Sequence, residues 1–179
     1  MVKHDDYMTP FSAWEDVSPY IPRHLTLWEA FYGDGTSGAH LAELGLDVIH
    51  EDVDFFTHDL GECAVTNPPF SELPRVLARL RELGKPFVVI MPCSTLTTRY
   101  LRDLFPDIQV IVPRRRIQFR KLVDGVEVPS GRCSFDCLYF CWLATRVAEG
   151  RGVLDVMGVS TLPSEMRRVP KYRNFRSLS

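Results

Sequence analysis

Two apolar rhythms run along this chain. Short continuous apolar runs, the pattern of strands buried on both faces, alternate with stretches whose apolar positions repeat every three or four residues, the pattern of amphipathic helices. Leu25 to Tyr32 reads as a strand and ends in the turn cluster Gly33-Asp34-Gly35-Thr36-Ser37-Gly38. Ala39 to Leu44 continues as a helix stopped by Gly45, and Asp47 to Glu51 is a second strand. Cys63 to Thr66 is a short apolar strand that runs into Asn67-Pro68-Pro69-Phe70, where the prolines lack the donors a ladder needs. Glu72 to Leu83 carries Leu73, Val76, Leu77, Leu80 and Leu83 on one helical face, and Gly84 ends it.

Pro86 to Met91 is a buried-type strand, Thr95 to Phe105 a helix and Ile108 to Val112 a strand. Arg116 to Lys121 and Gly125 to Val128 read as a strand pair around a turn at Asp124-Gly125, and Phe135 to Leu143 as a long apolar strand. At the N-terminal end, Thr9-Pro10 reads as a cap and first-turn proline for a short helix over residues 11–20. Strands alternating with helices imply parallel βαβ units. The fold expected is therefore α/β and Rossmann-like: a mostly parallel sheet with helices on both faces and an antiparallel hairpin at one edge. Ligands of such sheets sit at the carboxyl ends of the strands, which puts the glycine turn and the Asn67–Phe70 turn on one rim.

Composition changes this picture only when split by position. The net charge of −2 hides thirteen acids against two Lys or Arg in residues 1–70, and ten against nineteen in residues 71–179. Such asymmetry points to two surfaces with different partners, the basic one suited to nucleic acid. The 179 residues suit one domain, no apolar run reaches the roughly 18 residues of a membrane span, and the polar start lacks a secretory apolar core. Five cysteines at irregular spacing do not make a disulfide framework, so a reducing intracellular compartment, cytoplasmic or nuclear, is expected.

Three features carry chemistry. The Gly33-Asp34-Gly35-x-x-Gly38 turn follows a strand and opens a helix, the setting of a nucleotide-binding glycine loop. It lacks the Lys-Ser/Thr ending of a phosphate loop. The next strand ends in Glu51-Asp52, where a carboxylate can accept from ribose hydroxyls. Thr66-Asn67-Pro68-Pro69-Phe70 is the sharpest signal. The Asn67 side-chain oxygen and the Pro68 carbonyl are two acceptors on a backbone that Pro68 and Pro69 make rigid, and Phe70 adds a flat ring. Together they suit a planar amine, two acceptors for its two hydrogens and a ring to stack on.

With these residues in view, the chain resembles the S-adenosylmethionine-dependent N6-adenine methyltransferases, and is similar in particular to their short phage-type DNA members. The resemblance spans roughly residues 7–145. Thr9-Pro10 matches the element lying over the cofactor, and Glu29-Ala30-Phe31-Tyr32-Gly33-Asp34-Gly35 matches the first cofactor motif. Asp52 falls where the ribose-binding acid belongs, Asp54-Phe55-Phe56 resembles the element that holds the cofactor's adenine, and Asn67–Phe70 matches the catalytic motif. The resemblance implies a class I methyltransferase fold, S-adenosylmethionine as cofactor and methylation of adenine N6 in nucleic acid, DNA before RNA. The same Asn-Pro-Pro-aromatic turn also serves RNA adenine and protein glutamine methyltransferases, and an idle partner subunit is a further alternative. It implies catalytic Asn67, Pro68, Pro69 and Phe70, and cofactor-binding Thr9, Pro10, Glu29, Phe31, Gly33, Asp34, Gly35, Asp52, Asp54 and Phe55. The segment between Asp52 and Asp54 is collapsed relative to the family, which leaves the ribose acid open among Glu51, Asp52 and Asp54.

Larger family members carry a target-recognition domain. Here residues 1–160 read as one methyltransferase domain and 161–179 as a basic tail, with Arg167 to Arg176 holding five cations. Loose sequence specificity, or specificity supplied by a protein partner or a second copy of the chain, is the expectation. Arg114, Arg115, Arg116, Arg120 and Lys121 suit phosphate contacts on the nucleic-acid substrate. Cys133, Cys137 and Cys141 recur every four residues, which fits no zinc or iron–sulfur pattern, and they read as buried free thiols. None of the five histidines sits in a metal-ligand pattern, so no metal is expected, and His50 reads as structural.

Overall fold

A computed structural model describes residues 7–123, 126–128 and 135–142. The Asp124-Gly125 turn, Cys133, the boundary near residue 160 and the basic tail lie outside the described residues. In chain order the elements are β1 (Tyr7–Met8), α1 (Phe11–Val17), β2 (Leu27–Trp28), α2 (Thr36–Glu43), β3 (Val48–Ile49) and β4 (Cys63–Thr66). They continue with α3 (Leu73–Leu83), β5 (Phe87–Pro92), α4 (Arg99–Leu104), β6 (Gln109–Ile111), β7 (Arg120–Val123), β8 (Val126–Val128) and β9 (Cys137–Trp142).

Six strands form one sheet in the order β3-β2-β4-β5-β9-β6. The pairs β2–β3, β2–β4 and β4–β5 are parallel, and β9 runs antiparallel to both β5 and β6. The sheet is thus mostly parallel and Rossmann-like, and its antiparallel strand lies inside it. Alternation along β4 and β5 sends Cys63, Val65, Val88 and Ile90 to one core and Ala64, Phe87, Val89 and Met91 to the other. Helices α1 and α2 cover the first core, and α3 and α4 cover the second.

Helix α3 shows how the pattern becomes structure. Leu73, Val76, Leu77 and Leu80 are all buried, Pro74 sits in the first turn, and Gly84 closes the helix at φ 62°, its N–H bonding the Leu80 carbonyl at 3.1 Å. Each of those apolar side chains contributes about 1.5–3 kcal/mol by leaving water. Cys137 and Cys141 of β9 and Cys63 of β4 are buried, and burial pushes the Cys141 thiol up.

Three local expectations are corrected. The hairpin β7–β8 does not sit on an edge of the main sheet: with β1 it makes a separate three-stranded sheet, Tyr7 opposite Lys121 and Met8 opposite Arg120. Arg116 to Phe119, expected as strand, is irregular, and the hairpin starts only at Arg120. Helix α1 has Pro10, not Thr9, at its N-cap and no side-chain cap.

Candidate functional site

The parallel strand order reverses at β2: the chain moves from β2 outward to β3, then returns to place β4 on the other side. In open α/β sheets that reversal leaves a crevice beyond the carboxyl ends of the strands. A cavity of about 400 Å³ lies there. After β2 it is lined by Ala30, Phe31, Tyr32 and Gly33; after β3 by Asp52, Val53, Asp54 and Phe55; after β4 by Asn67 and Pro69. Tyr7, Met8 and Thr9 cover it from the small sheet.

Two polar atoms in this lining are buried and lack a partner: Asn67 Oδ1 and Thr9 Oγ1. The amide is oriented, because Asn67 Nδ2 donates to the Tyr7 carbonyl at 3.2 Å. That bond occupies the donor end and leaves the acceptor end unmatched. A buried acceptor without a donor costs about 1–3 kcal/mol, which a ligand donor would recover. At the other end of the cavity Asp52 and Asp54 are exposed, and Asp54 Oδ1 accepts from the Phe56 N–H at 3.0 Å. Phe55 is buried and forms the wall, its ring 5.4 Å from Trp28 and 5.0 Å from Phe31.

The structure brings Thr9, Phe31, Gly33, Asp52, Asp54, Phe55, Asn67 and Pro69 to one cavity. Pro10, Glu29, Asp34, Gly35, Pro68 and Phe70 do not line it. Phe70 packs instead into an aromatic cluster, 5.3 Å from Phe135 and 6.3 Å from Phe119, both edge-on. Gly35 is the left-handed N-cap of α2 at φ 83°, and a Cβ there would lie 3.2 Å from the Tyr32 hydroxyl. The Asp34 carboxylate accepts from the Thr36 N–H at 3.0 Å and pairs with Arg120 at 3.1 Å. Burial pushes its pKa up, but the bonds from Thr36 and Arg120 outweigh that and hold it below the usual range. Arg120 also donates to the Thr36 hydroxyl at 2.7 Å.

The basic segment is likewise more engaged than its sequence implies. Arg114, Arg115 and Arg116 are all exposed; Arg114 lies 3.6 Å from Asp16 and Arg116 lies 2.7 Å from Asp136. Among the described residues no cluster of His, Cys, Asp and Glu is fit to hold a metal ion, and no helix is long and apolar enough to cross a membrane.

Glu29 has a role that its motif position did not announce. It is 1% exposed, accepts from the Thr66 hydroxyl at 2.6 Å and faces His50 Nε2 at 3.0 Å. Burial raises the Glu29 pKa, and the contact with Glu29 raises that of His50. Tyr32 stacks on the His50 ring at 4.6 Å. The pair ties the end of β2 to the ends of β3 and β4 beside the cavity. No local signal links Glu29 to His50, and β1, whose Tyr7 carbonyl orients Asn67, is too short to show a period.

Both shifts in the pair point the same way: the folded chain keeps its proton to higher pH than the unfolded chain. The His50 part of that stabilisation is fully present below the ordinary histidine value of about 6.5 and is lost as pH rises through the raised folded value, while the Glu29 part already declines above its ordinary value of 4.5. Thermal unfolding followed from pH 6 to 9 is expected to show a midpoint that falls with pH, and a His50→Gln variant to show less of that fall. Equal slopes in the two proteins would contradict the pairing.

No protein-family model matches the chain, and no curated protein sequence matches it significantly. Among solved structures it is similar to a precorrin-6y C5,15-methyltransferase from Geobacter metallireducens GS-15, at 13% identity and a TM-score of 0.43, over 79% of this chain and 97% of that one. It is also similar to an S-adenosylmethionine-dependent O-methyltransferase from Thermotoga maritima, at 14% identity and a TM-score of 0.31, over 65% of this chain and 49% of that one. The chain thus spans about half the length of the second protein. The class that fold and cavity define by themselves is an α/β domain with a ligand crevice at the reversal of a Rossmann-like sheet.

Proposed function

We propose that the chain transfers a methyl group from S-adenosylmethionine to the N6 amine of adenine in nucleic acid, DNA in preference to RNA. The observation that carries this reading is the Asn67 amide: its oxygen is buried and unmatched in the same cavity whose far end holds Asp52, Asp54 and Phe55. The residues present fit the cofactor. Asp52 or Asp54 supplies carboxylate acceptors for ribose hydroxyls, Phe55 and Phe31 supply ring surface for its adenine, and the unmatched Thr9 hydroxyl is available to a polar group. When bound, the cofactor supplies an electrophilic methyl on a sulfonium.

The chain's own contribution is orientation. The exocyclic nitrogen of adenine is a weak nucleophile because its lone pair is delocalised into the ring. Accepting a hydrogen bond from that amine at Asn67 Oδ1 favours a more tetrahedral and more nucleophilic nitrogen. Tyr7 keeps the amide from turning over, and Pro68 and Pro69 keep the backbone from relaxing. Holding the nitrogen in line with the methyl accounts for much of the rate, as proximity and orientation do generally. The proton leaves the nitrogen after transfer, so no general base is required beforehand. Phe70, with Phe119 and Phe135 behind it, gives the target base an aromatic border.

Tritiated methyl transfer to DNA, RNA and protein in parallel, followed by nucleoside analysis, tests the proposal. N6-methyladenine is the expected product; label recovered only in protein would replace it with the glutamine reading. We further propose that Arg120 serves the cofactor side rather than phosphates. It clasps the β1–β7 cover to the glycine turn through Asp34 and Thr36. A charge-assisted bond of this kind is worth about 1.5–3 kcal/mol at most, less here because both side chains are partly exposed. Arg120→Ala is therefore expected to weaken cofactor binding by about fivefold and to leave oligonucleotide binding within about twofold, measured by calorimetry and fluorescence anisotropy. The reverse pattern would return Arg120 to the phosphates.

A further inference from the structure

A second cavity, of about 640 Å³, lies between α1 and the basic segment. Its walls are Ser12, Glu15, Asp16 and Pro19 from α1 and the turn after it, and the consecutive residues 114–118, with Tyr139 of β9 contributing as well. Tyr139 is spent, because its hydroxyl donates to the Ala13 carbonyl at 2.7 Å. Arg114 is tied by its backbone N–H to Asp16 at 3.0 Å, and its exposed guanidinium lies 3.6 Å from the same carboxylate. Arg116 is held by Asp136 and by the Phe135 carbonyl. Four exposed side chains remain: Arg115, Gln118, Glu15 and Ser12. None of them makes a hydrogen bond or ion pair with another described residue.

This set is informative because its signs are mixed. A site for a bare anion would not include a free carboxylate in its lining. One guanidinium, one carboxylate, one amide and one hydroxyl, set among Ala13, Pro19 and Ile117, match a nucleotide. The guanidinium suits its phosphate, the amide and carboxylate suit a base edge, and the apolar groups suit a base face. The position suits it too. Gln118 immediately precedes Phe119, whose ring lies 6.3 Å from that of Phe70, the last residue of the catalytic turn.

We propose that this cavity seats the nucleotide next to the target adenine, and that Gln118 and Glu15 select there for a base bearing an exocyclic amine, adenine or cytosine. The inference rests on the nucleic-acid reading of the first cavity and names the specificity of that same substrate. Gln accepts and donates to the adenine edge, and Glu accepts from the cytosine amine. The result is a preference for one neighbouring base, carried by the catalytic domain itself.

The test uses single-stranded oligonucleotides with one adenine and every pair of neighbours, methylated by the full chain and read by sequencing. The wild type is expected to favour adenine or cytosine at one neighbouring position by roughly tenfold, the scale of one good base-edge contact. Gln118→Ala and Glu15→Gln are expected to bring that ratio to within about twofold. A merely structural loss would slow all substrates alike and keep the ratio. Equal rates on all neighbours in the wild type, or a ratio unchanged in both variants, overturns the proposal. Ultraviolet crosslinking of an oligonucleotide with 5-iodocytosine beside the adenine gives a readout that needs no methyl transfer. Crosslinks in the peptides around Gln118 or Ser12–Pro19 support the seat even if no methyladenine forms. Crosslinks confined elsewhere, or none, overturn it even if methyladenine does form.

Discussion

Asn67→Ala is expected to lower methyl transfer by at least about 100-fold while cofactor binding stays within a few-fold of normal. The magnitude follows from what the side chain does. Removing a preorganised hydrogen-bonding group aimed at developing charge costs about 10²–10³ in rate, and a reactant misplaced by about 1 Å costs a similar factor. The cofactor end of the cavity, with Asp52, Asp54 and Phe55, does not depend on the amide. Asn67→Asp is the sharper companion, because it keeps an acceptor oxygen but loses the donor that Tyr7 orients. It is expected to recover part of the rate. Calorimetry and single-turnover kinetics separate the two effects; near-normal turnover in Asn67→Ala would sink the assignment.

Gly38→Ala is expected to destabilise the protein by about 2–4 kcal/mol. Local propensity says the opposite, since alanine is favoured over glycine within a helix by about 1 kcal/mol. Packing decides the sign. A Cβ on Gly38 would stand 2.0 Å from His50 Nδ1 and 2.1 Å from its Cγ, so the ring must move. It cannot move freely, because Tyr32 stacks on it and Glu29 faces it. Displacing His50 leaves a buried carboxylate without its cation, and losing one partner of a buried pair costs about 3–5 kcal/mol. The unfolding midpoint is expected to drop by roughly 5–15 °C. In a His50→Ala background the same substitution has little left to disturb, so the two effects are expected to be far from additive. A more stable Gly38→Ala protein would mean that His50 does not pack on α2.

Much of the fold was legible because it rests on local periodicity. The apolar face of α3, the buried runs of β4 and β5, and the glycines after α2 and α3 are short-range signals, and they fall on the described elements to within a few residues. The strand expected over Leu25–Tyr32 pairs as β2 only at Leu27–Trp28, because the residues after it diverge to line the crevice. Asn67 and Pro69 could be named as candidates because they follow directly on β4, where chain position and site position coincide, while Asp54 and Phe55, five and six residues beyond β3, were named from the family resemblance.

What the linear pattern could not contain is which distant groups meet. Thr9 looked like a helix cap, yet its hydroxyl faces the cavity; Arg120 looked like a phosphate contact, yet it closes on Asp34 eighty-six residues earlier. Glu29 looked like a cofactor ligand, yet it is matched to His50 and Thr66. Periodicity, turn chemistry and strand order follow from interactions between near neighbours, so the sequence by itself determined the α/β class and the rim on which the candidate site lies. Pairing of buried charges, the orientation of the Asn67 amide and the set of side chains left free around Gln118 depend on contacts across the sheet. Only the tertiary structure decided these, because burial makes each polar group find a partner, and the partner is whichever group the fold brings within about 3 Å.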